Sequence, residues 1–177
     1  MTSILKVDNL QDSSGTGTPY IKNAVLNVIQ KAVDTAGSAI AVNNNSDVIS
    51  QAITPQSTNS KILVRCLINI GGDLNAYGYG RLFRDSTPVG VSTQASGSQV
   101  NASFQVMTKN WTYQGYRTSP HFFEFLDSPG TTSSITYKIN LACTSANLYL
   151  NRSGTVNTND AFTPAVISTL TLMEIGG

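Results

Sequence analysis

The pattern that most constrains the fold lies at residues 166–175, VISTLTLMEI. This stretch is dense in β-branched and long apolar residues and contains no Pro or Gly, so it predicts a β-strand. Its apolar residues fall on both faces, with Leu170 and Leu172 on one side and Met173 and Ile175 on the other. A sheet with one solvated face would show apolar residues on one side only. We therefore expect a central strand whose four residues lie in the domain core or in an interface between subunits.

The composition favours one all-β domain. The chain has 177 residues, enough for a domain with its own core. Almost a third of the residues are Ser, Thr or Asn, which favours strands joined by side-chain-capped turns. Charged residues make up only 12%, the formal net charge is +1, and Lys and Arg do not cluster. We expect no nucleic-acid partner, because phosphates need several convergent cations, and no membrane insertion, because no apolar run is long enough.

Residues 1–27 predict an extended N-terminal attachment arm that precedes a head domain at residues 28–177. The apolar residues of the arm are Ile4, Leu5, Val7 and Leu10. They are followed by DSSGTGTP, a turn-rich segment that continues neither a helix nor a strand. So short an alternating stretch cannot fold alone. We expect it to become ordered by adding to the sheet edge of a partner protein.

The rest of the chain predicts about ten short strands. Residues 61–70, KILVRCLINI, alternate clearly, although Leu63 and Leu67 make the outer side only partly polar. Residues 24–36 fit either an amphipathic helix or a strand, and we favour a strand over 28–34. Further strands are predicted at residues 38–42, 48–54, 79–84, 88–92, 101–108, 121–126 and 135–143, with Leu148 and Leu150 pairing with the last of these. This arrangement is typical of a sandwich or jelly roll.

Four segments of the head carry a resemblance to a known family. They are TPQSTNSKILV (54–64), RLFRDSTPVG (81–90), FLDSPGTTSSITYKI (125–139) and STLTLMEIGG (168–177). These resemble the landmarks of a jelly-roll domain common in virion proteins of tailed phages, especially marine and cyanobacterial ones. The opening SILKVDNLQDSSGTGTPYI is similar to the N-termini of phage tail-fibre-like proteins. The layout is similar to the globular heads of the complement and tumour-necrosis-factor group, which are trimers.

The resemblance implies a fold and a setting. The fold is an all-β jelly-roll sandwich of about ten strands with an extended N-terminal arm. The implied function is that of a non-enzymatic homotrimer, assembled in the host cytoplasm into the virion. It would be a surface-exposed short tail fibre or tail-tip protein, bound to other virion proteins through its arm. Because no shaft lies between arm and head, a capsid decoration or cement protein is the alternative, and a glycan-processing enzyme is the less favoured one.

Few residues are candidates for catalysis. His121 is the only histidine, it begins HFFEFL, and no nucleophile-elbow pattern is present, so we expect a structural or surface role. Glu124 and Glu174 are the only glutamates. We favour a solvated Glu124 over one buried with Arg81 or Arg84. We expect no catalytic residue, no cofactor and no metal, because one histidine and two separated cysteines are too few for a zinc site.

The two cysteines, Cys66 and Cys143, each lie in phase with the apolar face of an alternating strand. We interpret them as small buried apolar residues. A disulfide between them is the alternative, and it requires neighbouring strands with Cα atoms within about 7 Å.

Aromatic rings interleaved with glycines lie around the middle of the chain. They belong to Tyr77, Tyr79, Trp111, Tyr113 and Tyr116. Such rings fill cores and protein interfaces, which is the favoured explanation, or stack on sugars, because they combine apolar area with a polar edge. Contact with a host surface glycan is therefore the alternative role of these five residues.

Overall fold

The structure, a computed structural model, describes residues 23–107, 116–155 and 163–177, which contain ten β-strands and no α-helix. The strands are β1 (Val25–Val33), β2 (Asn45–Ile53), β3 (Lys61–Gly72), β4 (Tyr77–Arg84), β5 (Thr87–Val89), β6 (Phe104–Met107), β7 (Thr118–Asp127), β8 (Ile135–Ser145), β9 (Leu148–Leu150) and β10 (Ser168–Ile175). No helix in this described part is long and apolar enough to cross a membrane. The predicted all-β class is confirmed.

The strands form two antiparallel sheets of five strands each. In the first sheet the order is β1-β10-β3-β7, and β9 pairs with β3 beyond the end of β10. In the second sheet the order is β2-β8-β4-β5, and β6 also pairs with β4. Strands β1 to β4 alternate between the sheets, and the first and last strands lie side by side. This connectivity confirms the predicted jelly-roll sandwich.

The core lies between the two sheets and follows the twofold period of the strands. The inward residues of β3 and β8 are all buried, and they are Ile62, Val64, Cys66, Ile68, Ile70, Ile135, Tyr137, Ile139, Leu141 and Cys143. Leu170 and Leu172 of β10 join this core. The alternation predicted for residues 61–70 and 135–143 is confirmed.

Within the ambiguous segment 24–36, Val25–Val33 forms a strand, and the helical alternative is wrong. β1 pairs antiparallel with β10 along its whole length, from Val25 opposite Ile175 to Val33 opposite Ser168. The backbone groups that a helix would use internally are therefore taken by β10. Because β1 begins at Val25, it includes the last residues of the segment assigned to the arm.

Two predicted local arrangements are wrong. Leu148–Leu150 pairs with β3 rather than with β8. The chain turns at Ala146, which has a φ of 52°, and the Asp73 amide then binds the Asn147 carbonyl, so the chain crosses to the first sheet. Residues 38–42 contain one bridge, Ile40 to Leu148, instead of a strand, because they run between β1 and β2 in different sheets.

A buried polar contact joins the two sheets at the end of β7. The Asp127 carboxylate accepts hydrogen bonds from Arg84 Nη1 at 2.8 Å and from the Tyr137 hydroxyl at 2.6 Å. Asp127 belongs to the first sheet, whereas Arg84 and Tyr137 belong to the second. Burial, together with the adjacent carboxylate, raises the pKa of Tyr137, so its hydroxyl stays protonated and donates.

The cysteines are both buried and free, which confirms their interpretation as small apolar residues. Cys66 lies in the first sheet and Cys143 in the second, and neither forms a disulfide, so the disulfide alternative is wrong for this structure. Burial raises the pKa of Cys66 to about 12 and also raises the pKa of Cys143.

Candidate functional site

The outer face of the first sheet carries a row of large apolar side chains that crosses its four long strands. Val28 of β1, Met173 of β10, Leu63 of β3 and Leu126 of β7 lie opposite one another in register. Val28 is 53% exposed and Leu126 is 46% exposed, while the two central residues are half-buried. We call these four residues the apolar row. Contiguous apolar surface of large size marks interaction sites on soluble proteins.

One neighbouring row of the same face keeps its charges paired within the chain. Arg65 Nε lies 2.8 Å from Glu124 Oε2, and Gln30 Nε2 donates to Thr171 Oγ1 at 2.8 Å. One row further, Phe122 is 60% exposed, and the centre of its ring lies 5.5 Å from the Arg65 guanidinium carbon. The middle of the face therefore presents apolar groups and mutually neutralised charges.

The outer face of the second sheet is polar by contrast where β2 and β8 lie side by side. Lys138 Nζ lies 2.7 Å from Asp47 Oδ2, and Asn140 Nδ2 donates to Asp47 Oδ1 at 2.8 Å. Burial opposes ionisation of Asp47, but the hydrogen bonds from both partners and the Lys138 charge hold the pKa of Asp47 below its usual value. The Phe83 ring lies under the Lys138 ammonium at 5.7 Å. Along these described strands the two outer faces thus differ chemically, because the first carries the apolar row and the second carries paired charges and amides on β2 and β8.

The C-terminal residues singled out from the sequence divide between the two sides of β10. Leu170 and Leu172 point into the core and are fully buried. Met173 and Ile175 point outward and are half-buried, with Met173 in the apolar row and Ile175 opposite Val25, which is 57% exposed. β10 therefore has the two apolar faces that its sequence predicts. Its role in a trimer interface stays a prediction.

The apolar row was only partly predicted. Val28, Phe122 and Leu126 were not assigned to any surface, although HFFEFL carries the necessary signal. Its outward residues Phe122 and Leu126 are apolar, and so are its inward residues Phe123 and Phe125. A strand that is apolar in both phases, like VISTLTLMEI, predicts cover on both sides.

Of the predicted glycan contacts, Tyr77 and Tyr79 lie together on the outer face of β4. The glycines of YGYG point inward, where a Cβ on Gly78 would collide with the Ala142 carbonyl and one on Gly80 with the Phe104 ring. The tyrosines therefore take the outward phase, and both line a surface groove. Tyr116 is half-buried and is not among the residues that line this groove. The predicted residues that lie outside the described part of the chain are Trp111, Tyr113, Ile4, Leu5, Val7 and Leu10.

The titratable candidates do not converge. His121 points inward with its ring 5.7 Å from the Phe104 ring, and burial lowers the pKa of His121. Glu124 points outward and is 46% exposed, which confirms the predicted solvated position, and it forms an ion pair with Arg65 rather than with Arg81 or Arg84. Glu174 points inward and is fully buried, so the two glutamates lie on opposite faces of one sheet. Among the described residues, no group of three or more His, Cys, Asp or Glu could hold a metal ion.

No protein-family model matches the chain, and no curated protein matches its sequence. It is similar to a solved structure described as the crystal structure of the infectious bursal disease virus VP2 subviral particle, with 10% identity and a TM-score of 0.40. It is also similar to the structure of infectious bursal disease virus Gx strain, with 9% identity and a TM-score of 0.41. Each comparison covers 97% of this chain but only 45% and 44% of those chains, so this chain spans less than half their length.

Proposed function

We propose that this protein is a non-enzymatic structural protein of a phage virion, whose jelly-roll head forms a homotrimer through the outer face of the first sheet. The observation that carries the proposal is the apolar row on that face, together with the charge-paired polar surface of the opposite face. The virion setting is supported by the four landmark segments of the sequence, which resemble phage virion jelly-roll domains.

A second copy of the chain is the occupant that this face fits best. The central ion pair, Arg65 with Glu124, is satisfied within one subunit, so another copy meets no unpaired like charge there. Completing the burial of four half-exposed apolar side chains supplies about 3 to 6 kcal/mol before the costs of association. With the usual strand spacing and rise per residue, the outer face of four strands of nine residues has an area of roughly 500 Å². This area is of the same order as the ~800 Å² that each partner buries in a standard interface.

The competing cover is the chain's own N-terminal segment. The described chain begins at Asn23, whose amide binds the Gly176 carbonyl at 2.7 Å, so the first described residue lies just beyond the end of β10. Cover by this segment within one subunit would leave the protein monomeric. Removing it would then expose the apolar row and cause association.

Light scattering at micromolar concentration separates these occupants. We expect a trimer for the full chain and a folded monomer for the double variant Val28→Asp with Leu126→Asp, because both residues are exposed in the isolated head. The matched control is Ala52→Asp, an exposed outward position on β2 of the second sheet, which should stay trimeric. A monomeric full chain, or association that appears only after deletion of residues 1–22, contradicts the proposal.

The arm attaches the trimer to the particle in this proposal. A short tail fibre or tail-tip location is favoured by the fibre-like N-terminus, and capsid decoration is the second candidate because no shaft separates arm from head. Deletion of residues 1–22 leaves β1 intact and tests the attachment. We expect a trimer that no longer enters particles, and immunogold labelling of wild-type particles distinguishes tail from capsid. Normal incorporation of the truncated protein would show that the head carries the attachment.

The two glutamates do not form the carboxyl pair that a glycan-processing enzyme needs. A glycosidase needs two carboxyl groups about 5 to 9.5 Å apart across one sugar, whereas Glu124 and Glu174 face opposite sides of the first sheet. Turnover of a host polysaccharide that is lost in Glu124→Gln would overturn the non-enzymatic assignment.

A further inference from the structure

A groove lies on the outer face of the second sheet, where the loop between β5 and β6 folds back over the first half of β4. Its volume of about 660 Å³ is within the range of roughly 300 to 1,000 Å³ typical of small-molecule sites. Its principal side chains are Tyr77, Tyr79, Gln94, Gln99, Val100 and Gln105. We call it the tyrosine groove.

The tyrosine groove combines aromatic rings with side-chain amides and has no charged residue in its lining. Each amide offers both a donor and an acceptor, which matches the paired donor and acceptor character of a hydroxyl group. The side-chain amide of Gln105 makes no hydrogen bond with the described residues. In the Gln99 side chain, Oε1 accepts a hydrogen bond from the Ser96 backbone N–H, while Nε2 stays available to a ligand. The rings of Tyr77 and Tyr79 supply apolar area with a polar edge.

Hydrogen bonds hold the groove in shape. The Ser92 amide binds the Ala102 carbonyl at 3.1 Å, which closes the base of the loop. The Ala95 amide binds Asn101 Oδ1 at 3.1 Å, and Arg81 Nε binds the Asn101 carbonyl at 2.9 Å, so β4 itself holds the loop. The Arg81 guanidinium also lies 4.8 Å from the centre of the Tyr79 ring and orients it. A site built in this way loses little entropy when a ligand binds.

We propose that the tyrosine groove binds a neutral saccharide, with sugar C–H faces on the tyrosine rings and sugar hydroxyls on the glutamine amides. The lining itself carries no charge to compensate for the desolvation of a phosphate, sulfate or carboxylate, and the adjacent Arg81 lies against the Tyr79 ring with its Nε bound to the Asn101 carbonyl, so neutral sugars are favoured over acidic ones. The groove faces away from the apolar row, on the opposite side of the sandwich, so the proposed trimer leaves it accessible. The inference goes beyond the proposed structural function and rests on its virion setting only for the source of the glycan, which would be the host surface.

A glycan array of glucose-, galactose- and mannose-terminated oligosaccharides, with their sialylated and sulfated counterparts, tests the proposal on the full chain. Hits are then measured in solution by calorimetry. We expect binding to a neutral oligosaccharide and about tenfold or greater loss of affinity in Tyr79→Ala, because one ring stacking surface is removed. The matched control is Phe83→Ala, which removes an outward ring from the same strand outside the groove and should change affinity less than about twofold.

Gln105→Ala is the second variant, because Gln105 is exposed and its loss should not affect folding. We expect it to weaken binding about fivefold or more with an unchanged melting temperature. Absence of binding to every neutral oligosaccharide, preference for the acidic counterparts, or full affinity in both variants overturns the proposal. A trimer without glycan binding leaves the structural function standing, whereas a glycan-binding monomer overturns the trimer and not the groove.

Discussion

Leu172 and Met173 are adjacent residues of β10 that point to opposite sides of the first sheet. Leu172 is fully buried in the core, and Met173 lies in the apolar row on the outer face. Replacing each in turn by Asp places the same new charge on the same strand, first inside the domain and then on its outer surface. The two variants therefore separate domain stability from subunit association.

Leu172→Asp should prevent folding. Loss of the buried side chain costs about 2 to 5 kcal/mol, as for truncation of other core leucines. An unpaired carboxylate in the core adds several kcal/mol. The sum is comparable with the whole stability of a domain, about 5 to 15 kcal/mol. We expect no cooperative unfolding transition at any protein concentration.

Met173→Asp should leave the head folded and weaken the trimer. Met173 is half-buried in the isolated head, so its replacement costs about 1 to 2 kcal/mol of domain stability. In the assembly the carboxylate would be desolvated beside Leu63 and Val28, and the nearby cation Arg65 is already bound to Glu124. A penalty of about 3 kcal/mol per contact weakens association more than a hundredfold.

Urea denaturation and light scattering over a range of concentrations measure the two effects. We expect a urea transition for Met173→Asp but not for Leu172→Asp, and a monomeric mass for Met173→Asp at concentrations where the Ala52→Asp control is trimeric. If Met173→Asp keeps the wild-type mass and melting temperature, the outer face of β10 is not an interface. Complete unfolding of both variants would refute the separation of the two faces.

Three further predictions concern the described part of the chain. Asp127→Asn removes the carboxylate charge that joins the two sheets through Arg84 and Tyr137, and it should lower the free energy of unfolding in urea titrations by about 2 to 4 kcal/mol. A loss under about 0.5 kcal/mol would show that this contact is dispensable. Because the folded pKa of Asp47 is lowered, its contribution to stability is present above its unfolded pKa of about 3.9 and is lost as pH falls through the folded value. The stability of Asp47→Asn, measured by thermal melts from pH 6 to about 2, should therefore vary less with pH than that of the wild type. The difference should not exceed about 1 kcal/mol, because the ion pair of Asp47 with Lys138 is partly exposed. An identical pH profile for the two proteins would contradict this assignment. Cys66 and Cys143, both buried with raised pKa values, should react with iodoacetamide at pH 8 only slowly until urea unfolds the protein, and rapid labelling of the native protein would count against their burial.

Features that depend on a local twofold period were predictable from the sequence. The inward residues of β3 and β8, the two apolar faces of β10, and the burial of Cys66 and Cys143 all follow from alternation along a single strand. The outward phase of Tyr77 and Tyr79 belongs to the same class, because Gly78 and Gly80, which alternate with them, take the crowded inward positions.

Features that depend on pairing between distant segments were not predictable in this way. The sequence of Leu148–Leu150 predicts the return strand of a hairpin with β8, but this segment pairs with β3. Pairing within a sheet is made by backbone groups, and the local side-chain pattern does not indicate which strand supplies the partner groups. The ambiguity of residues 24–36 is settled by β10 for the same reason. Glu124 meets Arg65 because β7 lies beside β3, and nothing within HFFEFL indicates that neighbour.

The sequence by itself determined the all-β class, the strand phases and the presence of apolar residues on both sides of β10. The tertiary structure alone decided that Val28, Leu63, Leu126 and Met173 form one row and that the loop after β5 closes a groove over Tyr77 and Tyr79. The physical reason is that a surface site joins residues from strands far apart in the chain. Local periodicity specifies the side of a strand on which a residue lies, whereas strand order and register specify the residues beside it.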